Sequence, residues 1–553
     1  MSLGAVKRTS RLAAIVIALL VACPLSGATT ARTILVFPFE NQSNRADLSW
    51  LSEGFAVFLS LRLAAPDRYV LGREERDAAY AQLELGTATP LTLASDYKVA
   101  EVLGVDWAVV GSFAVAGDHL TAQARLLDAR GLKLSDPIEV TGVLNDLVEL
   151  QTRLAWRLLA AHDPQFTVGT EDDFRLHFPE VRLDAFESYI RGILATDDAS
   201  RVRYLTEADR RDPRDHHPAF QLGRYYFDQK DYAKAVLWLR KMDDRDPNYL
   251  ESLFLTGVGE YFLGRDGASE KDFADLAKQI PLNEVSNNLG VLEARRHDYA
   301  EALANFERAY NGDPTVPEFA FNMGVCLWYL KRYGDSIKYL QEAVSIDGDD
   351  PGAHTLLGLE LGKVGDLEGQ RREGKWLAEH ESGSSNNVAE QDLVLQTRIT
   401  KHYDGRAFRL LALAVRNAEE QSMEGMSAAE HGQFHLARGR QLLAAGRLSE
   451  AERDLAEAVS LLPLDDEAHV AMAQVLDAEG KRREAAAELE YSLKLKDSVT
   501  AHLMLARVYL SLNRVDAARD QDQAALSLDP GNREAAQLLD QIRSHAPGLR
   551  RTP

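Results

Sequence analysis

Residues 288–314 read NLGVLEARRHDYAEALANFERAYNGDP, and this stretch decides the fold of the chain. A Leu-Gly pair ending at Gly290 is followed by the small residue Ala302, the aromatic Phe306 and a closing Pro314. These residue types recur at fixed intervals on both sides of the stretch. The pattern therefore describes a repeated structural unit and not an isolated motif.

Three independent ladders have the same period. The glycines follow one another at steps of 34, 33, 34 and 34 residues: Gly223, Gly257, Gly290, Gly324 and Gly358. The prolines step by 34, 34 and 33 residues: Pro213, Pro247, Pro281 and Pro314. The small residues step by 34, 33 and 34: Ala235, Ser269, Ala302 and Ser336. A period near 34 predicts antiparallel helix pairs that stack into a solenoid.

The position of Gly290 has a physical reason. Glycine inside a helix costs about 1 kcal/mol relative to alanine, so a compensating contact is expected. Close approach of the partner helix near Ala302 would supply it. The pattern resembles the tetratricopeptide repeat, and this resemblance implies helix hairpins in a right-handed superhelix with a concave face that binds partners.

The repeats divide into two arrays. We expect a first array over residues 183–380, an irregular helical linker over 381–430 and a second array over 431–531. The last unit of the first array is degenerate, with Gln370 and Gly374 where alanine and an aromatic residue are usual. A polar-faced capping helix and tail should complete the chain over 532–553, as a solenoid end requires.

The amino terminus has the features of an export signal. Three basic residues precede an apolar run, residues 12–22, that is too short to span a bilayer comfortably. Cleavage after Ala28 would give a soluble periplasmic protein, whereas residues 20–23 resemble a lipobox whose Cys23 would be lipidated after removal of residues 1–22. A terminus that is not cleaved would act as a signal anchor. The expected location is therefore periplasmic, either soluble or tethered to the outer membrane.

Residues 32–164 predict a separate α/β domain. A buried strand is expected over 33–41, a hairpin over 107–128 and a closing helix over 147–161. The stretches VFPFEN, DLSWLSEGF, LGVDWAVVGSF and GDHLTAQARLLDARG resemble the TolB amino-terminal-like domain, although the sequence departs from it after Gly131. That resemblance implies a binding or assembly module, with relatives in flagellar and curli assembly lipoproteins.

Composition and motifs argue against several classes of function. The formal net charge of −22 disfavours nucleic acid, because phosphate binding relies on basic residues. The sequence contains neither a glycine-rich phosphate loop nor a zinc-protease or nucleophile-elbow motif. His216 and His217 are expected to be solvated turn residues. We therefore predict no catalytic residues, no cofactor and no metal.

The resemblance places a set of residues in the concave groove of the first array, where they would bind a protein or peptide: Phe220, Gln221, Arg224, Phe227, Phe254, Tyr261, Asn288, Arg295, Phe321, Asn322, Trp328 and Tyr329. Asparagines such as Asn288 hold peptide backbone in some members of that family. The alternative is that these aromatic residues pack between adjacent repeats, since aromatic residues at helical spacing are usually core.

Three hypotheses for function follow. The first is an exported bacterial scaffold or adaptor that binds a protein or peptide through the concave face. The second is an envelope assembly lipoprotein with a mainly structural, tethering role. The third is a small-ligand sensor or enzyme based on the N-terminal domain, which a deep polar pocket there would favour.

Overall fold

The computed structural model describes residues 31–545 apart from 44, 66, 87–90, 165, 179, 244–245, 381–396, 424 and 445. The expected signal peptide, Cys23 and the chain end beyond His545 lie outside the described residues. The chain forms two compact units, Met1–Ala418 and Glu419–Pro553, which are described separately below. Over the described residues, no helix combines the length and apolarity needed to cross a bilayer.

The N-terminal domain is built on one mixed sheet. Its strands are β1 (Arg32–Val36), β2 (Glu40–Asn41), β3 (Arg68–Leu71), β4 (Trp107–Ala116), β5 (His119–Asp128), β6 (Lys133–Leu134) and β7 (Ile138–Val143). The order is β3-β1-β4-β5-β6, with β2 paired to β4 and β7 paired to β5. Strand β1 is parallel to β3 and β4, and β4 and β5 form an antiparallel hairpin at Gly117.

The strand expected over residues 33–41 is interrupted. It ends at Val36 and pairing resumes at Glu40, so Pro38 lies in the gap. Proline has no N–H to donate to a ladder, which explains why the run divides there.

Five helices complete this domain: α1 (Trp50–Leu63), α2 (Arg73–Gln82), α3 (Leu93–Leu103), α4 (Leu147–His162) and α5 (Glu171–Leu176). The apolar sides of α1 and α4 form one core with the sheet, and this core continues into Phe186 and Ile190 of the next helix. The N-terminal domain and the start of the solenoid therefore share buried apolar surface.

Six helix hairpins follow in the first unit. They are hairpin 1 (α6 Leu183–Leu194, α7 Asp198–Arg211), hairpin 2 (α8 His217–Asp228, α9 Tyr232–Leu239), hairpin 3 (α10 Tyr249–Phe262, α11 Asp266–Gln279), hairpin 4 (α12 Asn283–Arg295, α13 Tyr299–Gly312), hairpin 5 (α14 Pro317–Tyr329, α15 Tyr333–Ile346) and hairpin 6 (α16 Pro351–Val364, α17 Leu367–His380). The predicted fold class, an α/β domain followed by an all-α solenoid, is confirmed.

At the glycines of the ladder, the two helices of a hairpin approach each other closely. A Cβ on Gly290 would lie 2.7 Å from the Phe306 ring and 3.1 Å from the Ala302 carbonyl oxygen. A Cβ on Gly324 would lie 2.7 Å from Leu340. The expected close approach is confirmed, and the large residue of the second helix takes most of the space that glycine leaves. At Gly358, in the degenerate hairpin, the nearest atom is the Glu373 Cβ at 3.2 Å.

The turns of hairpins 2 to 6 each contain one residue in the left-handed region. These residues recur at the repeat period: Lys230, Gly264, His297, Lys331 and Gly365. Three of the five are not glycine, so the turn geometry is imposed by the packing of the helices it joins and is retained at a local cost of about 1 kcal/mol.

The second unit contains three more hairpins and a terminal helix. The helices are α19 (Ala428–Ala444), α20 (Leu448–Leu461), α21 (Asp466–Ala478), α22 (Arg482–Leu495), α23 (Val499–Ser511), α24 (Val515–Leu528) and α25 (Arg533–His545). Helix α25 buries Ala535, Leu538 and Ile542 on one face. This one-sided burial is what the end of a solenoid needs, because the other face meets solvent.

Residues 397–404 form neither helix nor strand, and helix α18 (Gly405–Met423) follows them. We call residues 397–404 the internal segment. They lie against the first helices of hairpins 3 to 5, which places them in the groove of the first array.

Candidate functional site

Two asparagines one repeat apart hold the backbone of the internal segment. Asn322 Nδ2 donates to the Arg398 carbonyl oxygen at 2.8 Å, and the Arg398 N–H donates to Asn322 Oδ1 at 2.7 Å. Asn288 Nδ2 donates to the Thr400 carbonyl oxygen at 2.9 Å, and the Thr400 N–H donates to Asn288 Oδ1 at 2.7 Å. Each amide therefore satisfies both backbone groups of one residue.

A third asparagine connects these two pairs. Asn287 Nδ2 lies 3.0 Å from the Arg398 carbonyl oxygen and 3.0 Å from Thr400 Oγ1, and Asn322 Nδ2 lies 2.8 Å from Asn287 Oδ1. All three asparagines have no exposed surface. Buried amides are costly unless bonded, so the internal segment completes a polar network that the helices alone would leave unsatisfied.

The spacing of the contacts matches extended backbone. In extended chain, alternate residues present their N–H and C=O groups to the same side. Arg398 and Thr400 thus face the asparagines, while Ile399 between them joins the apolar cluster that contains Phe254 and Val285. The asparagines therefore bond the backbone of Arg398 and Thr400, and the array buries the side chain of Ile399 between them.

Arg398 anchors the amino-terminal end of the internal segment. Its guanidinium lies 3.6 Å from the centroid of the Phe321 ring, and Nη2 donates to Asp350 Oδ1 at 2.8 Å. Burial alone would raise the pKa of Asp350, but its bonds to Arg398 and to the backbone N–H groups of Ala353 and Gly352 hold that pKa below its usual value. Asp350 is therefore both an N-cap of α16 and the acidic partner of this arginine.

Tyr403 anchors the other end. Its ring lies 4.9 Å from the Phe254 ring, centroid to centroid, and its hydroxyl donates to the buried Glu251 carboxylate. Burial and the negative charge of Glu251 raise the pKa of Tyr403 well above its usual value, so the phenol keeps its proton. Lys401 Nζ lies 4.6 Å from the centroid of the Phe262 ring at the groove edge.

Helix α18 carries the chain from the groove to the N-terminal domain. Arg409 pairs with Glu75 of α2 and also lies 3.3 Å from Glu251 Oε2 of hairpin 3. Arg406 Nη2 donates to the Leu103 carbonyl oxygen at 3.0 Å. Burial would lower the pKa of Arg409, but Glu75 and Glu251 outweigh it and raise that pKa.

The predicted groove residues occupy several environments. Asn288, Asn322, Phe254 and Phe321 contact the internal segment. Others pack between neighbouring elements of the array: Phe227 on Tyr232, Tyr261 on Arg295, Trp328 on Tyr333 and Tyr329 on Tyr299. Some of these aromatic residues therefore line the groove and others pack between repeats. Only the packing shows to which of the two groups each residue belongs.

Three of the predicted groove residues lie on the side of hairpin 2 that faces hairpin 1 and the N-terminal domain: Phe220, Gln221 and Arg224. Arg224 pairs with Glu74 of α2, and its guanidinium lies 5.8 Å from the centroid of the buried Phe220 ring. Gln221 bonds the hydroxyl of Tyr189. These side chains connect hairpin 2 to its neighbours, and the charge of Arg224 also acts on Tyr403 of the internal segment.

The acidic residues Glu251 and Asp350 were not among the predicted groove residues, and neither was the internal segment. One sequence signal was available, since the repeat phase is lost between Gly358 and Gly439, 81 residues apart. The buried Thr397 and Ile399 alternate with partly exposed neighbours, as in a half-buried extended chain. The loss of phase shows that the segment is irregular but does not show where it lies.

A cavity of about 460 Å³ lies where the N-terminal domain meets hairpins 1 and 2. Its lining includes the charged pairs Arg76–Glu53, Arg224–Glu74 and Arg409–Glu75. Because these charges engage one another, we interpret the cavity as a polar junction between the domain and the array and not as a substrate pocket.

The histidines at 216 and 217 are partly buried and paired, which differs from the solvated turn that we expected. His216 Nδ1 lies 2.8 Å from Asp246 Oδ2, and that bond raises the pKa of His216. His217 Nδ1 lies 2.6 Å from Asp215 Oδ1; burial would lower the pKa of His217, but Asp215 raises it. Asp243 brings a third ligand-type atom near His216 and Asp246.

Comparisons with known proteins support the repeats. Family models of the tetratricopeptide repeat match residues 294–359 in one case and residues 199–249 and 470–533 in another. The chain is 29% identical over 120 residues to the TPR repeat-containing thioredoxin TTL4 of Arabidopsis thaliana, an alignment that covers 21% of this chain. It spans 18% of that relative's length. The chain therefore carries tetratricopeptide repeats in both units.

Solved structures with similar regions include the Arabidopsis OM64 TPR domain, with 19% identity and a TM-score of 0.21 over 22% of this chain and 100% of that one. MamA from Desulfovibrio magneticus RS-1 has 17% identity and a TM-score of 0.28, covering 30% of this chain and 93% of that one. The first TPR domain of human RPAP3 has 17% identity and a TM-score of 0.21, covering 21% and 93%.

Proposed function

We propose that this protein is an interaction scaffold that binds an extended segment of a partner protein in the groove of its first array. The observation that carries the proposal is the pair of asparagines, Asn288 and Asn322, each of which bonds the N–H and the C=O of one extended residue. An amide used in this way recognises peptide backbone, which every polypeptide partner can supply.

Side chains around the asparagines would give specificity. Asp350 and Phe321 form a site for a cation, while Phe254 and Glu251 form a site for an aromatic hydroxyl. Charged and aromatic anchors in buried positions are the usual sources of binding energy at interfaces. The groove therefore combines sequence-independent backbone recognition with two selective ends.

Crosslinking in the native host tests this function. A photoreactive amino acid at Phe262, which lies at the groove edge and is 38% exposed, should crosslink a partner polypeptide. The matched control is the same amino acid at Leu237 on α9, which is 66% exposed and belongs to the second helix of its hairpin. Crosslinks at Phe262 that persist when Asn288 and Asn322 are both alanine, or that form equally at Leu237, would contradict binding in the groove.

The cellular setting is part of the proposal. A signal over residues 1–28, or 1–22 with lipidated Cys23, would export the protein, and an N-terminal domain of the TolB amino-terminal-like kind would dock to an envelope partner. A second candidate function, an assembly lipoprotein that tethers a machine to the outer membrane, rests on the lipobox-like residues 20–23.

The mass and membrane fractionation of the mature protein separate these two settings. Wild type and Cys23→Ser would be expressed in a bacterial host and compared. A lipid on wild type, with sedimentation that Cys23→Ser loses, supports the tethered role. Cleavage of both proteins near Ala28 with no membrane association would end the lipoprotein candidate, and retention of an uncleaved terminus would contradict both cleavage routes and leave a signal anchor.

A further inference from the structure

The groove of the first array is filled by the chain itself. The internal segment lies across hairpins 3 to 5 in the reverse of their order, with Arg398 at hairpins 5 and 6 and Tyr403 at hairpin 3. Residues 397–409 carry four basic side chains, Arg398, Lys401, Arg406 and Arg409, and one acidic side chain, Asp404. The carboxylates that face them are Asp350, Glu251 and Glu75. Basic side chains of residues 397–409 thus meet carboxylates of hairpin 3, hairpin 6 and α2.

We propose that residues 397–409 are an internal ligand, and that the partner is a basic extended peptide of another protein that displaces them. The proposal rests on the function proposed above and adds the chemistry of the partner and the competition. This peptide would carry an arginine or lysine that pairs with Asp350 and extended backbone that bonds Asn288 and Asn322. An aromatic hydroxyl or a second cation would contact Glu251.

The contacts of the internal segment are of a kind that another peptide can reproduce. Asn288 and Asn322 bond only backbone atoms of Arg398 and Thr400, so exchange for another extended chain keeps all four of those bonds. The side chains of Lys401 and His402 are exposed, and residues 397–404 contribute to no helix or strand. Residues 397–409 also place Ile399 and Phe408 in the apolar cluster of the hairpins, so an incoming peptide would need apolar side chains at these two positions.

The charges select the incoming peptide. Glu251 is 2% exposed and Asp350 is 9% exposed, so both carboxylates are poorly solvated. Removing the cation from a buried pair leaves an uncompensated charge. A neutral or acidic peptide would therefore replace the backbone bonds but leave both carboxylates without the cation that faces them, whereas a basic peptide restores both ion pairs.

Displacement of residues 397–409 would also weaken the contacts between α18 and the N-terminal domain. Arg409 connects Glu251 in the groove to Glu75 on α2, and Leu410 and Leu413 of α18 pack against the apolar cluster that contains Tyr69. A peptide that takes Glu251 from Arg409 and Tyr403 removes one of the two supports of this end of α18. Groove occupancy and the docking of α18 are therefore coupled.

Binding of the segment in trans tests the proposal. The probe is a fluorescently labelled synthetic peptide, TRITKHYDGRAFR, with the sequence of residues 397–409, titrated against the full-length protein by anisotropy. Three proteins are compared: wild type, the unlocked variant Arg398→Glu, and the unlocked variant with Asn288→Ala and Asn322→Ala. An internal ligand acts at an effective concentration of about 1 mM, which would weaken a peptide of about 10 µM affinity roughly a hundred-fold.

We expect the unlocked variant to bind the probe at least about ten-fold more tightly than wild type does. The variant that also lacks both asparagines should lose this binding. A peptide with glutamate in place of the first arginine should not bind, because it would face Asp350. Equal affinity of wild type and the unlocked variant, or no binding by an unlocked variant that retains its helical circular dichroism, would overturn the internal-ligand proposal.

A second variant and a second measurement keep the proposal testable if Arg398→Glu does not fold. Thr400→Pro removes the N–H that donates to Asn288 Oδ1 and the hydroxyl that Asn287 Nδ2 approaches, so it unlocks the groove without a charge change. Hydrogen exchange in wild type should show faster exchange of residues 397–403 when saturating probe is added. Probe binding with unchanged exchange there would also overturn the proposal. Partner crosslinks at Phe262 would still support the proposed function if the internal-ligand proposal failed. Failure of that proposal is therefore distinguishable from failure of the proposed function.

Discussion

Asn322 and Arg398 are 76 residues apart in sequence and exchange two hydrogen bonds, from the asparagine amide to the arginine carbonyl at 2.8 Å and from the arginine N–H to the asparagine carbonyl at 2.7 Å. The arginine side chain then crosses the Phe321 ring to reach Asp350. One residue of the chain is thus held by its backbone and by its charge, from two successive hairpins.

Replacement of Asn322 by alanine should release the internal segment at this point. The change removes both bonds to Arg398 and leaves the Arg398 N–H without its partner, which costs about 1–3 kcal/mol. We expect faster amide exchange at residues 397–400 and a lower unfolding free energy. Asn305→Ala is the control, because Asn305 bonds Glu293 and not the internal segment. Equal effects of the two variants on exchange at 397–400 would contradict the assignment.

Replacement of Gly324 by alanine should destabilise hairpin 5. The new methyl group would lie 2.7 Å from Leu340, a fully buried side chain, and overpacking of this kind costs about 1–3 kcal/mol. Urea denaturation followed by circular dichroism measures the change. At Gly334, on the second helix of the same hairpin, a Cβ meets no described atom within 4 Å. Gly334→Ala should therefore be neutral or slightly stabilising, and a loss there as large as at Gly324 would refute the packing explanation.

Replacement of Lys331 by glycine should be tolerated. Lys331 has φ of 61°, a region that costs a side chain about 1 kcal/mol and costs glycine nothing. Part of this gain is cancelled because glycine is freer in the unfolded chain, so we expect a stabilisation of about 0.5 kcal/mol or less. Lys338→Gly, inside α15, should instead lose about 1 kcal/mol. The two melting temperatures should move in opposite directions.

Glu360 should make stability depend on pH. Burial raises the pKa of Glu360 from 4.5 to about 8. Ser336 Oγ lies 2.7 Å from the Gly324 carbonyl oxygen and 2.6 Å from Glu360 Oε1. A hydroxyl has one proton, so a protonated Glu360 that donates to Ser336 satisfies both contacts.

Because the folded pKa of Glu360 is raised, the folded protein keeps a proton that the unfolded chain releases. The contribution of this group is largest below pH 4.5, falls as the pH rises, and levels off above about 8. Glu360→Gln removes this dependence, so its unfolding free energy relative to wild type should increase between pH 5 and 8, by at most about 1.4 kcal/mol per pH unit. A constant difference across this range would show that Glu360 is ionised in the folded protein.

Arg409 should support the connection between the groove and the N-terminal domain. Its removal in Arg409→Met leaves Glu75 and Glu251 without their shared cation, and breaking a buried pair costs about 3–5 kcal/mol. Arg406→Met is the matched control, because it removes only a bond to the Leu103 carbonyl and should cost about 1 kcal/mol. Thermal unfolding of both variants measures the difference, and a smaller loss at Arg409 than at Arg406 would contradict this role.

The repeat architecture was predictable from the sequence because its signals are local. Glycine is needed at position 290 because the Phe306 ring approaches the backbone there, and a glycine recurs at this position in each hairpin of the first unit. One such glycine is a weak signal, but its recurrence at a fixed period identifies the repeat. The hairpin of β4 and β5 was predictable for the same reason, since its turn at Gly117 and its alternating strands are adjacent in sequence.

What the tertiary structure alone decided is the occupant of the groove. The asparagine positions follow from the repeat phase, but the sequence does not state that Arg398 and Thr400 are their partners, because residues 397–404 belong to no repeat and carry no period longer than two. Asn288 and Thr400 lie 112 residues apart and meet only because the intervening hairpins stack and bring the chain back. Local patterns fix the helices and their spacing, whereas contacts between a periodic surface and a non-periodic segment depend on the packing of the whole first unit.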